Sequence, residues 1–377
     1  MRPHRALLVL TAAALAGGAL AACSGEEAAG SKGGAIAVKA TDTACSVAKT
    51  SLEAGTHTFE IRNDGGQITE FYVYAEGDKI MGEVENIGPG LTRTLHVELP
   101  AGKYEGTCKP GMTGKGLRTA LTVTGAVAKP VSDTAELAAA AASYKQYVES
   151  QSTALISKTR EFVTAVKSRD IRRAKALFPV SRTYWERIEP VAESFGDLDP
   201  KIDARENDVE PGQPWTGFHR LEKDLWVTGD VSKDAAIADQ LLADVQLVVT
   251  KSKAVTFTPL QLANGSKSLL DEVATGKVTG EEDRYSHTDL WDFRGNVDGS
   301  QAAIAALRPV LVKRDAELVR TIESRFAAVD ALLDSHVVGD GYKLYTQLTP
   351  AEVRALAVAV DAVAEPLSTV AATVARP

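Results

Sequence analysis

The sequence predicts two domains of different class, an N-terminal all-β sandwich followed by an all-α helical bundle. Three observations carry that expectation. Between Ile36 and Gly125, short alternating or β-branched runs are separated by turn residues. From Ala135 onward, Ala and Leu with interspersed Lys, Arg and Glu recur at helical spacing, as in Leu318, Ile322, Phe326, Val329 and Leu333. A chain of 377 residues that is 44% apolar also has the length and hydrophobic mass for more than one core.

Taken in chain order, residues 1–22 open with Arg2, His4 and Arg5 and continue as an apolar run with a small-residue finish, the pattern of a secretory signal peptide. The run ends Leu20-Ala21-Ala22-Cys23, which resembles a bacterial lipobox, so Cys23 is the expected lipidation site. An ordinary signal with an incidental cysteine would instead leave a secreted, unanchored protein. Residues 23–35 are small and polar and read as a flexible tether. The sandwich is expected over 36–125. Its strands include His57-Thr58-Phe59-Glu60-Ile61, Glu70-Phe71-Tyr72-Val73-Tyr74 and Thr94-Leu95-His96-Val97-Glu98-Leu99, and about seven runs in all suit a small two-sheet fold. A linker follows at 126–134, and the bundle is expected over 135–377, with breaks at prolines such as Pro179, Pro190, Pro259, Pro309 and Pro350. Beyond the signal, neither domain reads as containing a membrane span.

The charge balance is 42 basic against 50 acidic residues, a net −8. That sign is wrong for a phosphate-backbone binder, so no nucleic acid is expected as a partner, and it suits attraction of cations. The most informative segment is Gly217-Phe218-His219-Arg220-Leu221-Glu222. Three residues apart on a helix, His219 and Glu222 share one face, where an imidazole nitrogen and a carboxylate can grip one ion. Bundle metal sites recruit further carboxylates from facing helices. Acidic clusters around Glu186, Glu189 and Glu193, around Asp203, and in Gly280-Glu281-Glu282-Asp283 supply candidates, of which Glu189, Asp203 and Glu282 are chosen.

In the β region, Cys108-Lys109-Pro110-Gly111-Met112 places a thiolate and a thioether in one tight turn, soft donors suited to copper, although the loop lacks the histidines of a blue-copper site. Glu70, Glu83 and Glu85 offer hard oxygen donors that favour iron instead. Cys45 and Cys108 form an even pair once Cys23 is set aside. A disulfide between them and a free Cys108 thiolate are therefore both open.

Several of these stretches carry a family likeness. The bundle wording from Trp185 to Pro200, from Gly217 to Glu222 and from Gly280 to Phe293 resembles the imelysin-like domain of EfeO proteins, bacterial iron-uptake components. Thr69-Glu70-Phe71-Tyr72, Gly82-Glu83-Val84-Glu85-Asn86 and the Cys108 to Met112 turn resemble their cupredoxin-like domain. The resemblance implies a cupredoxin-like sandwich followed by an imelysin-like helical domain, and metal binding at His219 and Glu222. It also implies an extracytoplasmic role in capturing iron and passing it to a membrane iron permease, with a haem peroxidase-like protein as a further partner. A secreted metallopeptidase with a β-sandwich accessory module is the alternative. It is weakened because a zinc hydrolase needs three protein ligands and a positioned base, and no His-Glu-x-x-His occurs.

Overall fold

The computed structural model describes residues 34–125, 135–209, 212–275 and 277–376. The expected signal, Cys23, most of the tether and the linker at 126–134 lie outside the described residues.

Nine strands form the first domain: β1 (Ile36–Ala40), β2 (Cys45–Val47), β3 (Ser51–Glu53), β4 (Gly55–Asn63), β5 (Thr69–Ala75), β6 (Lys79–Ile87), β7 (Thr92–Leu99), β8 (Gly102–Cys108) and β9 (Leu117–Thr124). They make two sheets, ordered β2-β1-β4-β7 and β3-β9-β8-β5-β6. The count exceeds the expected seven because β2 and β3 are three residues each, too short to display an alternation in the sequence. Phe59, Ile61, Phe71, Val73, Leu95, Val97 and Leu121 fill the space between the sheets. The alternation that predicted these strands is therefore the inward face of the sandwich.

Cys45 and Cys108 are joined by a disulfide that ties β2 of one sheet to β8 of the other. This corrects the reading of Cys108 as a metal ligand. Its sulfur is bonded and fully buried, so it offers no thiolate. Met112 sits on a short 3-10 turn, Pro110–Met112, with 42% of its surface exposed. The soft-donor pair proposed for copper is not assembled.

The second domain contains α1 (Ala135–Lys167), α2 (Ile171–Glu186), α3 (Leu198–Asp203), α4 (Gly217–Lys223), α5 (Ala235–Ala254), α6 (Pro259–Thr275), α7 (Asp289–Arg314), α8 (Ala316–Ser335), α9 (Pro350–Leu367) and α10 (Val370–Ala375). A two-residue hairpin, β10 (Val337–Val338) with β11 (Gly341–Tyr342), interrupts them. Pro259 and Pro350 open helices, as expected of proline at a first turn. Pro179 and Pro309 do not break the chain; they lie inside α2 and α7. In each case both sides of the proline carry buried residues, such as Phe178 and Trp185, or Leu307 and Val310, and this packing outweighs the local penalty.

Among the described residues one segment, Pro350–Ala375, is long and apolar enough to cross a membrane by length and composition, although neither domain is expected to contain a span. Its Leu356, Val360, Val363, Leu367, Val370 and Val374 are buried in the bundle core. The two domains meet where α6 lies against β6 and β7. Asn264 Nδ2 on α6 donates to the His96 carbonyl on β7 at 2.7 Å.

Candidate metal centre

The buried centre of the bundle is polar, and its parts come from several segments. α4 begins at Gly217, whose φ of +88° and close approach to α3 leave no room for a side chain; a Cβ there would lie 2.2 Å from the Ile202 carbonyl oxygen. This glycine lets α4 start hard against α3 and so sets the position of His219 one half-turn later. Gly217→Ala is expected to cost roughly 1–3 kcal/mol of backbone strain. The expected readouts are a lower Tm and weaker metal binding together. α4 ends in a π-helical turn at Asp224–Thr228. Phe178, Phe218 and Trp226 form an apolar wall beside the imidazole, with the Phe178 ring 6.4 Å from that of His219.

His219 and Glu222 are both buried and one turn apart, as the spacing predicts. His219 Nδ1 lies 2.9 Å from Glu222 Oε2. The other oxygen of Glu222 accepts the backbone N–H groups of Tyr285 and Ser286 at 2.9 and 2.7 Å. Glu222 thus orients the ring and pins the loop before α7 in one arrangement. His219 Nε2, in contrast, has no hydrogen-bond partner among the described residues although the residue is only 1% exposed. Facing it are Asp203 Oδ1 at 3.7 Å and Glu282 Oε1 at 3.6 Å. Asp203, His219 and Glu282 form one group of donors within reach of a single ion, and His219, Glu222 and Asp283 form a second on the other side of the ring.

Charges around the ring are unevenly balanced. Arg182 on α2 is fully buried and contacts Glu186, Asp203, Glu282, Asp283 and Asp292. Lys277, also fully buried, binds Glu186 at 2.7 Å and Glu189 at 3.0 Å. Burial and Arg182 disfavour the imidazolium, but Glu222, Glu282 and Asp203 outweigh them and raise His219 to about 10. Burial, opposed by Arg182, raises Asp203. Burial and Glu222 push Asp283 up to about 6. Glu282 is buried too, yet Lys277, His219, Arg205 and Arg182 hold it well below the usual carboxylate range. Such a surplus of carboxylates over fixed cations is relieved either by protons or by a bound cation.

Of the sequence candidates, Asp203 and Glu282 are brought to His219. Glu189 is not; it is paired with Lys277 and with Asn296 Nδ2 at 2.6 Å. Arg182 and Lys277 were not anticipated. The only local signal was the four-residue step from Arg182 to Glu186, an ordinary helical ion-pair spacing.

Glu70, Glu83 and Glu85 gather on β5 and β6, on the side of the sandwich that faces the bundle. Tyr72 Oη donates to Glu70 at 3.0 Å and lies 3.3 Å from a Glu85 oxygen. Glu83 and Glu85 line a cleft of about 320 Å³ between the domains, with Glu193, Asp199 and Glu272 on the opposite wall. Asp203 and Glu282 line the same cleft, so it runs from the sandwich carboxylates to the donors facing His219. Burial and then Glu193 push Glu83 well up, burial and then Glu70 do the same to Glu85, and burial with Asp203 brings Asp199 to about 8. These carboxyls favour protons, or a cation in their place.

The class of protein is defined by the order of these domains: residues 10–123 match the model of the cupredoxin-like domain and residues 140–370 that of imelysin. Proteins named iron uptake system component EfeO from Escherichia coli O157:H7, Escherichia coli K12 and Shigella flexneri are each 38% identical over 336 residues, covering 88% of this chain and 89% of theirs. The chain belongs to the EfeO family of iron-uptake components. The peptidase-class name attached to imelysin domains is the one thing here that suggests proteolysis, and the named relatives do not favour it.

Proposed function

We propose that the protein captures iron outside the cytoplasm, held to the membrane through a lipid on Cys23, and passes the ion to a membrane iron permease, with a haem peroxidase-like protein as a further partner. In this reading His219 Nε2, Asp203 and Glu282 hold the ion, while Glu222 orients the imidazole from behind. The observation that carries it is the buried, unpartnered Nε2 with two carboxylate oxygens facing it. One nitrogen among oxygens is a donor set suited to iron. Glu70, Glu83 and Glu85 serve as an oxygen-lined entry or second iron position at the sandwich end of the cleft. The soft Cys108 and Met112 pair is not available to a copper ion there, because Cys108 is bridged and Met112 lies apart from the cleft lining.

Capture should release protons. His219 is protonated below about 10 and must lose a proton to use Nε2 as a ligand. The groups facing it, Arg182 on α2, Asp203 on α3, Glu222 on α4, and Glu282 and Asp283 in the loop before α7, remain charged or shed protons of their own. Affinity is therefore expected to rise with pH, by up to about tenfold per unit from this one group. Anaerobic calorimetric titration of the full chain with ferrous iron at pH 6 and pH 8, in buffers of different ionisation enthalpy, measures both affinity and proton release. Binding that is absent, or equal at both pH values with no proton release, would refute the assignment.

A further inference from the structure

Building on that capture reading, we infer that Arg182 is a built-in competitor of the cargo ion, holding the oxygen atoms the ion needs and so setting how tightly the site grips and how fast it lets go. The competition is at the level of single atoms. Asp203 Oδ1 faces His219 Nε2 and is also the atom bonded by Arg182 Nη1. Glu282 Oε1 lies 3.6 Å from Nε2 and 3.1 Å from Arg182 Nη2. Asp283 Oδ1 lies 3.9 Å from His219 Nδ1 and 3.4 Å from Arg182 Nε. Apart from Glu222, every carboxylate in the two donor groups is shared in this way.

A guanidinium and a metal ion compete for the same carboxylate oxygens and repel each other at this range. Loading the site therefore requires Arg182 to yield part of its contacts. The structure gives it somewhere to remain. Glu186 Oε1 at 2.5 Å and Asp292 Oδ1 at 3.3 Å hold the guanidinium and belong to neither donor group. The rings of Phe178 and Phe218, at 5.9 and 6.0 Å, flank it. Lys277 makes the contrast clear: its bonds go to Glu186 and Glu189, and it comes no nearer than 3.8 Å to Glu282. It neutralises the surroundings without occupying the ion's position.

The test compares wild type, Arg182→Lys and Arg182→Met as full chains, titrated with zinc as an air-stable probe and with ferrous iron anaerobically. Stopped-flow chelator chase gives the dissociation rate. The Met variant should have a lower Tm without metal, a larger metal-induced rise in Tm than wild type, at least tenfold tighter binding and slower release. Lysine keeps the charge but cannot span all three oxygens, so it should fall between. Folded variants that bind no tighter than wild type, or release no more slowly, would overturn the inference. If the Met variant folds only with metal present, that rescue supports it, and failure of metal to rescue counts against it, with the Lys variant read separately. A metal-loaded crystal of wild type is expected to show the guanidinium withdrawn from Asp203 and Glu282; unchanged contacts would refute the proposal. Should wild type bind no ion, it is the capture reading that fails. Should wild type bind through His219 while the Arg182 variants bind no tighter, only this inference fails.

Discussion

Replacing His219 with alanine is expected to weaken iron binding at least a hundredfold while leaving the fold intact. The imidazole supplies the only nitrogen of the proposed donor set, and its loss leaves Asp203 and Glu282 still engaged with Arg182. Glu222→Gln should be milder, about 10- to 100-fold, because that residue aims the ring without occupying the ion's shell. The backbone N–H groups of Tyr285 and Ser286 can still reach an amide oxygen, so the loop should persist. Anaerobic titration calorimetry reads the affinities, and far-UV circular dichroism checks that both variants fold. Equal binding by wild type and His219→Ala would remove the basis for placing the ion at this ring. A Glu222→Gln loss as large as that of His219→Ala would instead place the ion on the Nδ1 side, between Glu222 and Asp283.

Removing the Cys45–Cys108 bridge is expected to cost the sandwich about 4 kcal/mol, since the bond closes a loop across a sequence separation of 63 residues. The tie is not replaceable by strand pairing alone, because β2 has only three residues and pairs only with β1. A Cys45→Ser, Cys108→Ser variant and reductant-treated wild type should show the same loss in denaturant unfolding followed by circular dichroism. All four tryptophans, Trp185, Trp215, Trp226 and Trp291, lie in the bundle, so their fluorescence should report a separate and smaller change. A bridge-free protein with wild-type unfolding would show that the sheets hold each other without it. The iron binding proposed at Glu70, Glu83 and Glu85 should survive, because none of those oxygens is bonded to the sulfur.

Both domain classes were legible because each has its own period. Ile322, Phe326, Val329 and Leu333 are the buried face of α8, while the neighbouring position is filled by Val319, with Leu318 only partly buried. Phe71 and Val73 mark the inner face of β5 in the same way. At the centre, His219 and Glu222 could be paired because both sit on one helix, where spacing fixes geometry. Asp203 and Glu282 come from other segments, and nothing local separates them from Glu189, which folding sends instead to Lys277 and Asn296. Arg182 and Lys277 escaped notice for the same reason: their partners are mostly distant in sequence. Pro179 and Pro309 misled because a proline's local cost is visible in a sequence and the packing that offsets it is not.

The two backbone groups held by Glu222 belong to the stretch that also presents Glu282 and Asp283. One side chain therefore aims the imidazole and stations two of its acidic neighbours, so these groups are coupled through Glu222. Energetic losses from paired substitutions at His219, Glu222 and Glu282 should consequently fall short of the sum of the single losses, since the first change already undoes what the second would remove.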